Sequence, residues 1–160
     1  MSERGVQDAS EKLALKEVYY EGSDTLLTGY ALCYNRDYGT ASAVDLHRAW
    51  RVEKPATANL GWFAGIVVKT PSGAGPYIVV IAQPNGGLVN CYSDQNCTLG
   101  TTKLAVKNGS YALGAAGSAT INVGTAFQTI DRSGTNGLVM TQLEGASLIQ
   151  VDAMALVTPT

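Results

Sequence analysis

Apolar residues along this chain fall in short runs broken by Gly, Pro, Ser and Asn. The clearest stretch extends from Asn59 to Asp94. It holds three runs, Trp62 to Val68, Tyr77 to Ala82 and Leu88 to Tyr92. They are rich in Val and Ile, which suit a pleated, half-buried surface. Each run has strand length, and each break carries turn chemistry. A 3.6-residue apolar period is absent from the stretch, so the pattern predicts a three-stranded β-meander.

The same reading extends to both ends. Residues 1–12 mix charge with Gly, Ser and Gln and read as an arm that is ordered only by docking. Glu11 to Tyr20 fits a short helix or an extended segment, and its β-rich end, Val18-Tyr19-Tyr20, favours a first strand. Glu21 to Asp24 is a turn. Thr25 to Asn35 reads as a strand in which Gly29 marks a bulge or a close approach. Ala41 to Glu53 is either a short helix, with Ser42 as cap and Asp45 three residues on, or an excursion between strands. Pro71–Pro76 and Pro84–Gly87 read as hairpin-like turns. Further strands are expected over Thr98–Val106, Tyr111–Leu113, Thr120–Ile130, Leu138–Leu143 and Ala146–Val157. Turn signals recur every 8–12 residues or so, the mark of a barrel or sandwich. The expectation is therefore one all-β domain over residues 13–160, a compact β-barrel or β-sandwich, with a short helix or excursion near 41–53 and an N-terminal arm.

Charge changes this picture. Of the 24 charged side chains, 16 lie in residues 1–54 and only 8 in residues 55–160. A free monomer usually carries a mixed charged surface, whereas interface cores are depleted of charge. The last two-thirds of the chain thus reads as a domain that covers its exterior with neighbours. The alternative is a surface of Thr, Ser, Asn and Gln. Net charge is −2, which gives no basic field for nucleic acid. The polar N-terminus lacks an apolar signal core, and no run reaches the roughly 20 apolar residues of a membrane helix. Synthesis and folding in a cytoplasm are expected. There the three cysteines, Cys33, Cys91 and Cys97, are expected to be free, small and buried.

Candidate chemistry is sparse. The single histidine, His47, has no recognisable nucleophile and acid arranged around it. Cys33, Cys91, Cys97 and His47 are the right types for a Cys3His zinc site, but they lack knuckle spacing. A Cys91–Cys97 disulfide is a minority reading in a reducing compartment. Gly86-Gly87 and Gly114–Gly117 lack the context of a phosphate loop. The aromatics concentrate in the first half without a basic groove beside them, which favours core or protein interface over base stacking. No cofactor and no catalytic residue are assigned.

The order of strands and glycines resembles one known family. The segments Y-E-G-S-D-T-L-L-T-G-Y-A-L-C-Y-N, F-A-G-I-V, G-G-L-V-N-C-Y, T-L-G-T-T-K-L-A-V-K-N-G-S-Y-A-L and V-G-T-A-F-Q-T-I-D are similar to those of the head decoration (cement) proteins of tailed bacteriophages. The likeness covers residues 17 to 130. It implies a β-barrel-like structural virion protein on the capsid exterior, commonly a homotrimer. Such a protein bridges neighbouring major capsid proteins, uses no enzyme activity and touches neither nucleic acid nor membrane. Asp37–Thr57 and the extension after Asp131 depart from the simplest members. The residues expected to make capsid or subunit contacts are Leu13, Leu15, Tyr19, Tyr20, Arg48, Trp50, Arg51 and Trp62. Two other classes compete with this reading. One is a tail-tube or minor capsid component, and the other is a carbohydrate-binding module using Trp50 and Trp62.

Overall fold

The computed structural model describes residues 13–35, 50–117 and 121–144. Ten strands account for its regular structure, and the described residues include no helix: β1 (Leu15–Tyr20), β2 (Ala31–Tyr34), β3 (Arg51–Glu53), β4 (Phe63–Lys69), β5 (Tyr77–Ala82), β6 (Leu88–Ser93), β7 (Lys103–Ala105), β8 (Gly114–Ala115), β9 (Asn122–Ala126) and β10 (Gly137–Leu143). The all-β expectation holds. The first five strands close a barrel in the order β1-β3-β2-β4-β5, and the last five form a second sheet in the order β6-β10-β9-β7-β8.

The barrel closes because β1 pairs antiparallel with β5 along its whole length, Leu15 opposite Ala82 through Tyr20 opposite Tyr77. Its other neighbour, β3, runs parallel to it, with Tyr19 opposite Arg51. Closure leaves the barrel no free edge. The second sheet is antiparallel throughout. It curls until its ends meet: Leu113 N–H donates to the Tyr92 carbonyl at 2.8 Å, and Ser93 pairs with Leu113 in an isolated bridge.

Two cores result. Val18, Tyr20, Leu32, Val52, Ala64, Val67, Val79 and Ile81 fill the barrel. Ala31, Cys33, Phe63, Ile66 and Ala82 point out of it, against Cys91, Leu104, Leu113, Val123, Val139 and Leu143 of the second sheet. Strands β2 and β4 are therefore buried on both faces. That explains why A-L-C-Y and F-A-G-I-V-V are near-continuous apolar runs rather than alternating ones. Between Leu32 and Cys33 the partner on β4 steps from Gly65 to Phe63, a bulge that places Phe63 and Ile66 on the same outer side. Gly65 is required there, because a Cβ would collide with the Ala82 carbonyl.

Several expectations change. The third run of the predicted meander, now β6, does not pair with β5. The Pro84–Gly87 turn carries it into the second sheet, where it lies beside β10. Arg51–Glu53 is strand β3, not the end of a helix; the rest of that segment, 36–49, lies outside the described residues. Thr98–Val106 shortens to β7. Its first residues are spent in a turn, with Thr98 N–H bonded to Thr102 Oγ1 at 2.9 Å and Gly100 at a φ of 71°. Tyr111–Leu113 is not a strand, and Gly114–Ala115 is. The arm 1–12 and the predicted strand Ala146–Val157 lie outside the described residues.

Candidate interaction surfaces

Strands with one face on a core must show the other to solvent or to a partner. On the barrel, that solvent-side wall is β3-β1-β5. Val18 and Tyr20 point in, so Leu15, Glu17 and Tyr19 point out. By register they stand beside Ala82, Val80 and Ile78. Leu15 is 58% and Ile78 52% exposed. The row ends on Trp50, whose ring sits 5.4 Å from that of Tyr19, and on the Arg51 guanidinium, 5.2 Å from the centre of the same ring. Arg51 also reaches Glu21 at 3.4 Å, and Asn35 donates to that carboxylate. The wall thus carries Leu15, Tyr19, Ile78 and Val80 with the exposed Glu17 midway along it and a paired charge cluster at its end.

The second sheet repeats the arrangement. Along β10, Val139, Thr141 and Leu143 point to the inter-sheet core, and Leu138, Met140 and Gln142 point away. Register sets Tyr92, Asn90 and Leu88 beside them. Phe127 N–H bonds to the Met140 carbonyl at 2.8 Å, which brings its ring to the same neighbourhood. Leu88, Phe127, Leu138 and Met140 are each 40–47% exposed. Scattered surface leucines are ordinary, but adjacent ones on one strand face form a patch. Leu27, Leu99, Ile121 and Trp62 add further exposed apolar side chains.

A third feature is a tyrosine cluster where barrel and second sheet join. The Tyr111 ring stacks on Tyr30 at 4.8 Å, and Tyr30 meets the edge of Tyr92 at 5.2 Å. The Tyr111 hydroxyl lies 2.5 Å from that of Tyr20 and donates to Asp24 at 2.8 Å. Burial raises the pKa of Tyr111, and its hydrogen bonds to Tyr20 and Asp24 push it further up. Lys54 Nζ stands 4.9 Å above the Tyr111 ring and 3.9 Å from Asp24. A shallow cleft of about 240 Å³ opens beside Tyr30, Tyr92 and Tyr111. Tyr30 covers one face of Tyr111, and the Lys54 ammonium lies over its ring. That ring is a pin between two sheets rather than a stacking platform.

The residues expected to make contacts fall into separate groups. Leu15, Tyr19, Trp50 and Arg51 come together on the outer barrel wall. Tyr20 does not belong with them: it is 1% exposed inside the barrel. Its place in the alternation opposite Tyr19 decides this. Leu13 packs partly buried against the inter-sheet core, near Gly87. Trp62 is 49% exposed ahead of β4, where its carbonyl accepts from Tyr34 N–H at 2.8 Å. Arg48 and His47 lie outside the described residues. The outer faces of β5 and β10 were missed as contact candidates. Ile78, Leu138 and Met140 sit in runs apolar enough to read as core, and only the strand register separates in from out.

The three cysteines are free and buried, as expected. Burial pushes the Cys33 and Cys91 thiols up to about 12. Among the described residues, no group of three or more His, Cys, Asp or Glu is placed to hold a metal ion. No helix among them is long and apolar enough to cross a membrane. Compared with known proteins, the chain matches no family model and no curated relative.

Proposed function

We propose that this chain is a non-catalytic structural protein of a virion, which binds the outside of an assembled phage capsid and stabilises it by bridging neighbouring major capsid proteins. The observation that carries the reading is the pair of outer faces bearing exposed apolar side chains, Leu15, Tyr19 and Ile78 around Glu17 on the barrel and Leu88, Leu138 and Met140 on the second sheet, in a chain with only 8 of its 24 charged side chains after residue 54. Faces of that kind lower their free energy by being covered, at about 25 cal/mol per Å² of apolar surface. The capsid as partner rests on the family resemblance of residues 17–130. A protein that binds the assembled shell and not its unfolded or unassembled components stabilises the shell by mass action. Many identical copies make weak single contacts effective.

The test is co-sedimentation with expanded, empty capsids of the phage that carries the chain. Saturable binding at a fixed ratio to the major capsid protein is expected. Removing residues 1–12, the polar arm suited to adding a strand to a neighbour's sheet, is expected to abolish occupancy. Undiminished occupancy without the arm discards the arm's role. Absence of the whole chain from the shell, with rings of it along the tail, replaces the capsid reading with a tail-tube one.

A further inference from the structure

The dipeptide Asn-Gly occurs at Asn85, Asn108 and Asn136. It is chemically labile. The glycine amide nitrogen can attack the asparagine side-chain carbonyl, and glycine has no Cβ to obstruct the approach. Attack needs an amide that is not held in a hydrogen bond and a backbone with room to turn. The fold treats the three pairs differently.

After Asn108, the Gly109 N–H is held by the Pro55 carbonyl at 2.8 Å. After Asn136, Gly137 opens β10 opposite Ser93. Leu143 of the same strand donates its N–H to the Gly87 carbonyl, and bonded pairs alternate along an antiparallel ladder. Gly137 lies an even number of residues from Leu143, so its N–H also turns to β6. The Arg132 guanidinium crowds it as well. Neither restraint acts at Asn85. Its side chain is exposed, and the Gly86 N–H donates to no acceptor among the described residues. The space at Gly86 is open, since a Cβ there meets nothing within 4 Å. Asn85 Oδ1 accepts from the Gly87 N–H at 3.3 Å. That bond folds the side chain back along the turn. It also places a donor on the oxygen where negative charge gathers during attack.

We infer that Asn85 is a site of spontaneous deamidation in the folded protein, while Asn108 and Asn136 are protected by their hydrogen-bonded glycines. The Gly86 nitrogen gives up its proton to solvent and bonds to Asn85 Cγ. The Cγ–Nδ2 bond breaks, and the nitrogen leaves as ammonia. Water then opens the cyclic imide at either carbonyl, leaving aspartate or isoaspartate at position 85. No oxidant or reductant takes part. The site matters because the chain crosses from barrel to second sheet here, between the end of β5 at Ala82 and the start of β6 at Leu88. Each event adds a negative charge to that crossing. The isoaspartyl product also lengthens its backbone by one carbon, next to Gly87, whose carbonyl is fixed by Leu143. The inference is independent of capsid binding.

The test incubates the full chain in mildly alkaline buffer, folded and in denaturant, and follows each Asn-Gly peptide by mass spectrometry. In the folded protein Asn85 is expected to convert to the acid about tenfold faster than Asn108 or Asn136, the factor that one released hydrogen bond supplies. In denaturant the three rates are expected to converge. Isoelectric focusing is expected to show an acidic species accumulating in the unaltered chain and not in Asn85→Gln, where attack must close a larger, slower-forming ring. Far-ultraviolet circular dichroism checks that this variant keeps its strands. An Asn85 that stays intact in the folded protein yet converts in denaturant overturns the inference. So does Asn108 or Asn136 keeping pace with it in the folded state, or the same acidic species arising in Asn85→Gln.

Discussion

Gly65 carries more of the architecture than its size implies. It sits at the β4 bulge with φ at 155°, and a methyl group there meets the Ala82 carbonyl on β5. Gly65→Ala is expected to cost about 1–3 kcal/mol, the usual range for overpacking with backbone shift, read from urea unfolding. Gly86 and Gly100 also have positive φ, but a Cβ at either meets nothing within 4 Å. Alanine there is expected to cost only about 1 kcal/mol. The cysteines make a second prediction at this scale. A folded-state thiol pKa of about 12 against an ordinary 9.0 means that the folded protein holds its protons more tightly than the unfolded chain. Stability is then complete below pH 9.0 and is lost as pH rises toward 12. Cys33→Ala with Cys91→Ala is expected to flatten that alkaline limb. A thiol reagent at neutral pH is expected to find none of the three cysteines in the native protein and all three in denaturant.

At the scale of elements, the division into two cores has a measurable consequence. Ile81 belongs to the barrel interior and Leu104 to the inter-sheet core. Each substitution to Ala is expected to cost about 2–5 kcal/mol. The double variant is expected to equal the sum within about 0.5 kcal/mol, since the two share no cluster. A larger discrepancy in a double-mutant cycle would join the cores. Strands such as β2, β4 and β5 were legible in the sequence because long apolar runs between turns admit little else. Partnership was not legible. Apolar runs mark β5 and β6 alike as strands, and nothing local says that Pro84–Gly87 leads into a different sheet. β3 was hidden for another reason: Arg-Val-Glu is three residues with only Val52 pointing in, too short for a period to register. Thr98–Thr102 reads as strand by its β-branched residues. In the fold its hydroxyl and amide bonds close on themselves, a local competition that propensity does not weigh. Among the candidate contacts, Tyr19 faces out of the barrel and its neighbour Tyr20 faces in. One step along a strand changes the face, and only the register fixes which.

For the whole molecule, the uneven charge and the exposed strand faces describe the same fact from two sides. Sequence composition indicated that the last two-thirds is short of charge. The fold adds where that matters, because β6 and β10 turn Leu88, Leu138 and Met140 outward on a surface with few charges to solvate it. The Tyr111 cluster ties the second sheet to the barrel through Tyr30, Tyr20 and Asp24. Tyr111→Phe removes the hydroxyl bonds to Tyr20 and Asp24 and is expected to cost about 2 kcal/mol. It leaves the outer faces untouched, so association is expected to persist in it wherever the protein stays folded. The measurement closest to the central claim is sedimentation equilibrium of the full chain over a wide concentration range, at low and high salt. A defined oligomer whose mass does not change with salt is the predicted result. A species of 16.7 kDa that persists to the highest soluble concentration would contradict it.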